Sequence, residues 1–477
     1  MKLTVAGFDF VAIAPEVILS LGAMLILVGG LFVKRAMLPA LTVLVLLGSM
    51  GALIPGLGDN VRAFDDTVAL DGFALFFKAV LLLSALLSVL ISMRFLKEEG
   101  GPAPEFFTLM LFATAGMMLM ASATDLMLVF LALETFSLAL YVLVAFRRRR
   151  LDSQEGALKY FLTGSFASAF FLYGIALIYG ATGSTRMLAI ASTASSSSLL
   201  TAGLALLIVG LAFKVGAVPF HMWTPDAYQG APSPVTGFMA AGSKVAGFAV
   251  MLRLFHNVFA SLVWDWRPAL IAIAAVTMVV GSIIAISQTN VKRVLAYSAI
   301  AHSGFLLIGV LSVNDQGITG SMFYLAVYAV TIVAAFGIVH AVGGVGEETV
   351  SLDDYRGLGA RQPFLAGSFA ILLFSLAGLP PTAGFWAKFE VFKAGYSAGQ
   401  APLVVLALLS SAVAAFVYVR VIWLMFFEAP VASSDDLVTA PPATGLVVFI
   451  VCGLVLFLGI QPTPLLDLVR HVTFVFH

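Results

Sequence analysis

The chain has 477 residues, 61% of them hydrophobic and 10% charged, with a mean hydropathy of +1.07. Soluble domains carry about 25% charged residues, so water is not the main solvent of this chain. Lys plus Arg equals Asp plus Glu at 25 each, which excludes the basic field that recruits nucleic acid.

Cys452 is the sole cysteine, which rules out an internal disulfide and any multi-cysteine zinc or iron–sulfur site. The six histidines form no H-E-x-x-H helix, and no G-x-G-x-x-G follows a strand-like run. No cofactor, metal or redox centre is therefore expected in this chain. Asp9, Pro15 and Glu16 interrupt the start, so no cleaved signal peptide is expected.

A spanning helix needs about twenty apolar residues, because each backbone N–H and C=O must be satisfied within the segment. Such runs fall near 12–33, 37–57, 72–96, 105–122, 125–146, 159–182, 199–223, 232–256, 268–287, 294–312, 320–342, 366–394, 401–427 and 443–464. The expected fold is an all-α polytopic membrane protein of about 14 transmembrane helices in one membrane domain. Loops after odd-numbered helices hold Lys34, Arg35, Arg94, Lys97, Arg147 to Arg150, Lys292, Arg293, Arg356 and Arg361. The other side holds Lys2, Arg62, Arg186, Arg267 and Arg470, while Arg253, Lys393 and Arg420 are ambiguous helix-end residues. The positive-inside rule then puts both termini in the periplasm.

Pro and Gly inside apolar runs mark the broken helices of transporters, whose freed backbone lines a polar cavity. Helix 7 reads LAFKVGAVPFHMW and helix 12 reads SLAGLPPTAGFWAKF, each pairing a breaker with a lysine, Lys214 and Lys388. They are five helices apart, and an odd repeat unit comes out inverted. The chain thus divides into three N-terminal helices (1–104), a first five-helix repeat of helices 4–8 (105–256), a second of helices 9–13 (265–427), and a C-terminal helix 14 (428–477).

Ionisable groups at mid-span cost about 2.5–3.5 kcal/mol on insertion scales and usually face a partner or a water-filled cavity. Five need that explanation: Glu134, Lys214, Lys244, His302 and Lys388. A static pair gluing helices together is the plain alternative. A movable Glu–Lys pair, however, lets a lysine alternate between holding and releasing a proton, as a relay requires. Small residues Ala241, Gly242 and Ser243 beside Lys244 suggest room for water. Lys159, at the start of helix 6, and His221, just past Pro219, are weaker candidates; for Lys159, snorkelling to the interface is an equal alternative.

The stretches EGALKYFLTGSFASAFFLYGIALIYGATGS, FKVGAVPFHMWTPDAYQGAPSPVTGFMAAGSKVAGFAVMLRLF, NVKRVLAYSAIAHSGFLLIG and LPPTAGFWAKFEVF resemble the subunit N family of bacterial complex I, the NADH–quinone oxidoreductase. The resemblance implies a bacterial inner-membrane subunit that moves protons while other subunits oxidise NADH and reduce quinone. FMN, iron–sulfur clusters and quinone would belong to those partners, and subunits M and K would flank this chain. It also implies that Glu134 and Lys214 form the pair of a first half-channel, Lys244 is the connecting lysine, His302 continues the relay, and Lys388 serves the second half-channel. Lysine at that last position resembles subunit N, whereas subunit M carries glutamate. The same fold occurs in subunits of multisubunit sodium–proton antiporters, which is the alternative; an intramembrane enzyme has no motif in its favour.

Overall fold

The computed structural model describes residues 4–5, 8–99, 101, 103–343, 350–430 and 441–472. Among them, thirteen helices are long and apolar enough to cross a bilayer. They are span 1 (Phe10–Gly29), span 2 (Arg35–Gly56), span 3 (Gly72–Lys97), span 4 (Ala103–Ser122), span 5 (Leu126–Val144), span 6 (Leu151–Thr182) and span 7 (Ser198–Val215). Then follow span 8 (Ser233–Val258), span 9 (Ala260–Ile286), span 10 (Val291–Ser312), span 11 (Asp315–Val342), span 13 (Ala401–Phe427) and span 14 (Pro442–Ile460). Span 12 is made of two shorter helices, Pro363–Ala377 and Ala383–Ser397.

Capping side chains set several of these starts, by accepting from N–H groups that the first helical turn leaves free. Asp125 caps span 5, Ser197 span 7, Asn290 span 10 and Asn314 span 11. Both expected breaks are present. Gly216 (φ 71°) ends span 7 and Gly378 (φ 82°) ends the first half of span 12, both in the left-handed region where glycine carries no Cβ penalty. A second helix, Trp223–Gly230, follows the first break. Span 7 therefore stops at 215, short of the expected 223.

Spans 6, 9 and 11 start earlier than expected, at Leu151, Ala260 and Asp315 rather than at 159, 268 and 320, because the residues before each apolar run continue the helix. In span 12 the two halves return so close to each other that a Cβ on Gly384 would overlap the Ser375 carbonyl oxygen.

The most hydrophobic windows of spans 8 and 10 are 100% buried and that of span 11 is 94% buried, against 33% for span 6 and 28% for span 2. Spans 8, 10 and 11 thus form the centre, and the others turn apolar side chains such as Phe166, Leu409 and Phe449 outward, as lipid requires. Span 3 packs on spans 4, 8 and 11, so the first three helices share the common core. Two fully buried ion pairs join them to it or to each other: Arg253 with Asp71 (2.9 Å) and Lys78 with Glu16 (2.8 Å).

Candidate functional site

The first cluster lies between spans 5, 6 and 7. The early end of span 7 leaves Lys214 in its last turn, 2% exposed. Its ammonium donates to the Ser137 hydroxyl at 2.7 Å and lies over the Phe136 ring at 4.1 Å, a cation–π contact that partly replaces lost hydration. The Ser137 hydroxyl in turn donates a hydrogen bond to the Leu133 carbonyl. Glu134, one turn earlier on span 5 and only half-buried, accepts instead from Ser168 of span 6. Ser137, Tyr141, Ser168 and Lys214 line a small cavity of about 10 Å³, the room one water needs.

The centre is held by the first break. Val215 is the last residue of span 7, and its carbonyl has no further turn of helix to accept from; such C-terminal carbonyls carry partial negative charge. Lys244 of span 8 donates to it at 2.8 Å and also to Ser303 of span 10, and Ser303 itself donates to Val215 O at 2.6 Å. The small residues beside Lys244 do not open room for water. A Cβ on Gly242 would meet the Met117 sulfur, and Ser243 bonds back to Met239, so they let spans 3 and 4 approach.

The second break repeats this device. Ala377 ends the first half of span 12, and Lys388 donates to its carbonyl at 2.8 Å and to Ser411 of span 13 at 2.8 Å. His302 and Lys388 line a second cavity, again of about 10 Å³, together with Tyr324, Tyr328, Thr331 and Ser375. Both imidazole nitrogens have phenol partners: Nδ1 with Tyr324 at 2.5 Å and Nε2 with Tyr418 at 3.4 Å.

The five mid-span groups thus form a row: Glu134 and Lys214 in one cavity region, Lys244 at the first break, then His302 and Lys388 around a second cavity. Lys159 and His221 are not in it. Lys159 is half-exposed and pairs with Glu155 (2.6 Å) and Asp226 (2.9 Å), which also binds Arg293 (2.8 Å). Burial pushes the Asp226 carboxyl up, but the hydrogen bonds from Lys159 and Arg293 outweigh it and hold the group below the usual carboxylate range. His221 is partly buried in the turn after Pro219.

Sequence reasoning missed the hydroxyls that hold the lysines, Ser137, Ser303 and Ser411, and those that contact His302, Tyr324 and Tyr418. It counted Lys292 as a loop charge, whereas Lys292 is fully buried and donates to Ala231 O at 2.7 Å. Arg253, read as an ambiguous helix end, is buried on Asp71. Lys78 had a usable signal, a lysine inside an apolar run. Among the described residues no cluster of three His, Cys, Asp or Glu could hold a metal.

An all-α membrane fold with two broken helices and a row of lysines tethered to neutral oxygens defines an antiporter-like, cation-translocating membrane protein. Residues 123–414 match the family described as NADH:quinone oxidoreductase/Mrp antiporter, transmembrane. NADH-quinone oxidoreductase subunit N of Parafrankia sp. (strain EAN1pec) is 48% identical over 84% of this chain and 82% of its own. A chain of respiratory complex I from Thermus thermophilus, solved with bound aureothin, superposes with a TM-score of 0.83 at 36% identity, over 95% of this chain and 98% of that one. A chain of the Mrp complex from Dietzia sp. DQ12-45-1b shares the fold, with a TM-score of 0.85 at 22% identity over 97% and 96%. This chain belongs to the NADH:quinone oxidoreductase/Mrp antiporter family and, within it, to the subunit N group of NADH-quinone oxidoreductases.

Proposed function

We propose that this chain moves protons through a relay of Glu134, Lys214, Lys244, His302 and Lys388, as the antiporter-like subunit N of a respiratory NADH:quinone oxidoreductase. The observation that carries this reading is the partner set of the three lysines. Lys214, Lys244 and Lys388 are each buried, yet each ammonium rests on carbonyl or hydroxyl oxygens, with no carboxylate among the described residues paired to it. A static glue pairs a buried cation with a carboxylate, as Arg253 does with Asp71 and Lys78 with Glu16. A neutral oxygen holds an ammonium when it is charged and tolerates the neutral amine when it is not. That is the property a carrier of protons needs.

Two inverted five-helix units, residues 105–256 and 265–427, fit the paired breaks and the paired cavities between spans 5, 6 and 7 and spans 10, 11 and 12. In such an arrangement one path opens to each membrane face. The expected setting is the bacterial inner membrane with periplasmic termini, beside subunits M and K, the redox groups residing in other chains. Co-purification tests the assignment: flavin and iron–sulfur chains accompanying this one support it. A set of small antiporter subunits without redox centres would replace it with the sodium–proton exchanger, whose fold it shares.

A further inference from the structure

Two polar atoms face each other across the first break without being joined. A Cβ on Gly216 would lie 3.0 Å from Thr224 Oγ1 and 4.0 Å from Lys244 Nζ. The residues adjoining Gly216 in the chain aside, no other heavy atom of the described residues comes within 4 Å of that point. The missing side chain thus leaves a small gap with a hydroxyl on one side and an ammonium on the other. Thr224 is 1% exposed and its hydroxyl has no hydrogen-bond partner, a rare state for a buried polar atom. Lys244 has three N–H donors, and two of them go to Val215 O and Ser303 Oγ. A remaining donor and an unclaimed acceptor therefore share the space that glycine keeps open.

The two sides of the gap belong to different neighbourhoods. Ser303, on which the ammonium rests, follows His302 on span 10. Thr224 belongs to the helix Trp223–Gly230. The ring of Trp223 stacks on Tyr160 of span 6 at 4.3 Å, and its Nε1 donates to Phe213 O, next to Lys214 in the chain. The Lys214 ammonium in turn lies 5.7 Å from the centre of the Tyr160 ring.

We propose that Thr224 is a second docking position for the Lys244 ammonium, so that this lysine alternates between Ser303 on the His302 side and Thr224 on the Lys214 side. The proposal rests on the relay reading above and names the residue that turns the connecting lysine toward its first neighbour. The motion exchanges hydrogen bonds only. An ammonium in the gap left by Gly216 donates to Thr224 Oγ1 at ordinary hydrogen-bond length. Ser303 keeps its own bond to Val215 O when the lysine departs, so no buried group is stranded. Each position offers a neutral hydroxyl, and neither traps the cation as a carboxylate would. Thr224 is a positioning residue in this scheme, and Lys244 remains the carrier.

The test measures acidification against quinone reduction by NADH in sealed vesicles holding the fully assembled complex. Thr224→Val keeps the branched shape and removes the hydroxyl, whereas Thr224→Ser keeps the hydroxyl. The expected result is a several-fold fall in protons moved per quinone reduced in Thr224→Val, with near-parental coupling in Thr224→Ser. Thermal stability should not fall in Thr224→Val, because the hydroxyl it removes bonds to nothing. Parental coupling in Thr224→Val while Lys244→Met is uncoupled would overturn the docking position and leave the relay standing. An equal loss in Thr224→Ser would also overturn it, showing that the site depends on shape. Parental coupling in Lys244→Met would instead defeat the relay reading itself. A structure of the parental complex frozen during turnover decides the question even where Thr224→Val does not assemble. The ammonium is expected in two positions, and an ammonium found on Ser303 alone overturns the proposal.

Discussion

The Lys214 ammonium is bound to Ser137 at 2.7 Å, while the carboxylate of Glu134, one turn away on the same helix, is engaged by Ser168. The lysine and the glutamate are therefore neighbours held apart by two hydroxyls. A move of Lys214 from Ser137 toward Glu134 would follow one turn of span 5 and exchange a neutral partner for a charged one.

Lys214→Met deletes the titratable group at nearly constant length and should stop acidification. Lys214→Arg keeps the charge but cannot release its proton, so it should fail too. A loss on the order of 100-fold is expected, the lower end of what a positioned proton-transfer group contributes. Ser137→Ala should impair acidification less, since it removes the resting partner and not the carrier. Normal NADH-driven acidification in Lys214→Arg vesicles would show that Lys214 is structural glue.

Lys244 bridges the freed Val215 carbonyl and Ser303. Lys244→Met should leave the complex assembled, because the methionine stem fills the same space, and should uncouple quinone reduction from acidification. The opposite pattern, failed assembly in Lys244→Met with full coupled activity in Lys244→Arg, would assign the residue to packing. Native gel electrophoresis beside the vesicle assay separates the two.

Arg253 and Asp71 are 1% and 0% exposed at their side chains. Removing one partner of such a pair leaves a buried charge and costs about 3–5 kcal/mol. Arg253→Met should accordingly lower the yield and thermal stability of the detergent-solubilised complex, and Arg253→Met with Asp71→Leu should recover much of the loss. Equal damage in the single and double variants would contradict the pair as the cause.

Asp226 is held below the usual carboxylate range by Lys159 and Arg293 against the upward push of burial. A carboxylate that binds its proton less tightly folded than unfolded stabilises the fold above its unfolded pKa, about 4. That contribution is lost as pH falls through the lower folded value. Asp226→Asn should flatten the acid side of the stability profile between roughly pH 4 and the folded value, and cost about 1 kcal/mol or less at neutral pH, since the groups are partly exposed. Thermal unfolding across that range checks it; identical acid slopes in parent and variant would refute it.

By the positive-inside rule, the basic loops after odd spans predict a periplasmic C-terminus. His477 lies outside the described residues, but alkaline phosphatase fused after it should be active. An inactive fusion, with a cytoplasmic fluorescent reporter lit at the same point, would reverse the topology.

Spans and breaks were legible because hydropathy, Gly216, Gly378 and the prolines are local signals, and the mid-span lysines because charge in an apolar run is costly wherever it sits. The oxygens that hold those lysines were not legible. Ser137, Ser303 and Ser411 are ordinary in membrane helices, and only the tertiary fold selects them from other serines. Main-chain acceptors such as Val215 O and Ala377 O have no side-chain signature at all; the break is visible in sequence, but which cation it holds is not. Lys292 and Arg253 were misread for the related reason that a helix end in sequence can be deep inside the bundle.

Span 6 has 32 residues, about 48 Å of helix at 1.5 Å per residue, against a hydrocarbon core of about 30 Å. Tilting alone would have to exceed the 0–40° seen for such helices, so part of its length stands in the headgroup layer. The end that does so carries Glu155 and Lys159, tied through Asp226 to Arg293 at the start of span 10. A change in bilayer thickness would therefore bear on this end of span 6, which the Lys159–Asp226–Arg293 contact joins to the helix that holds His302.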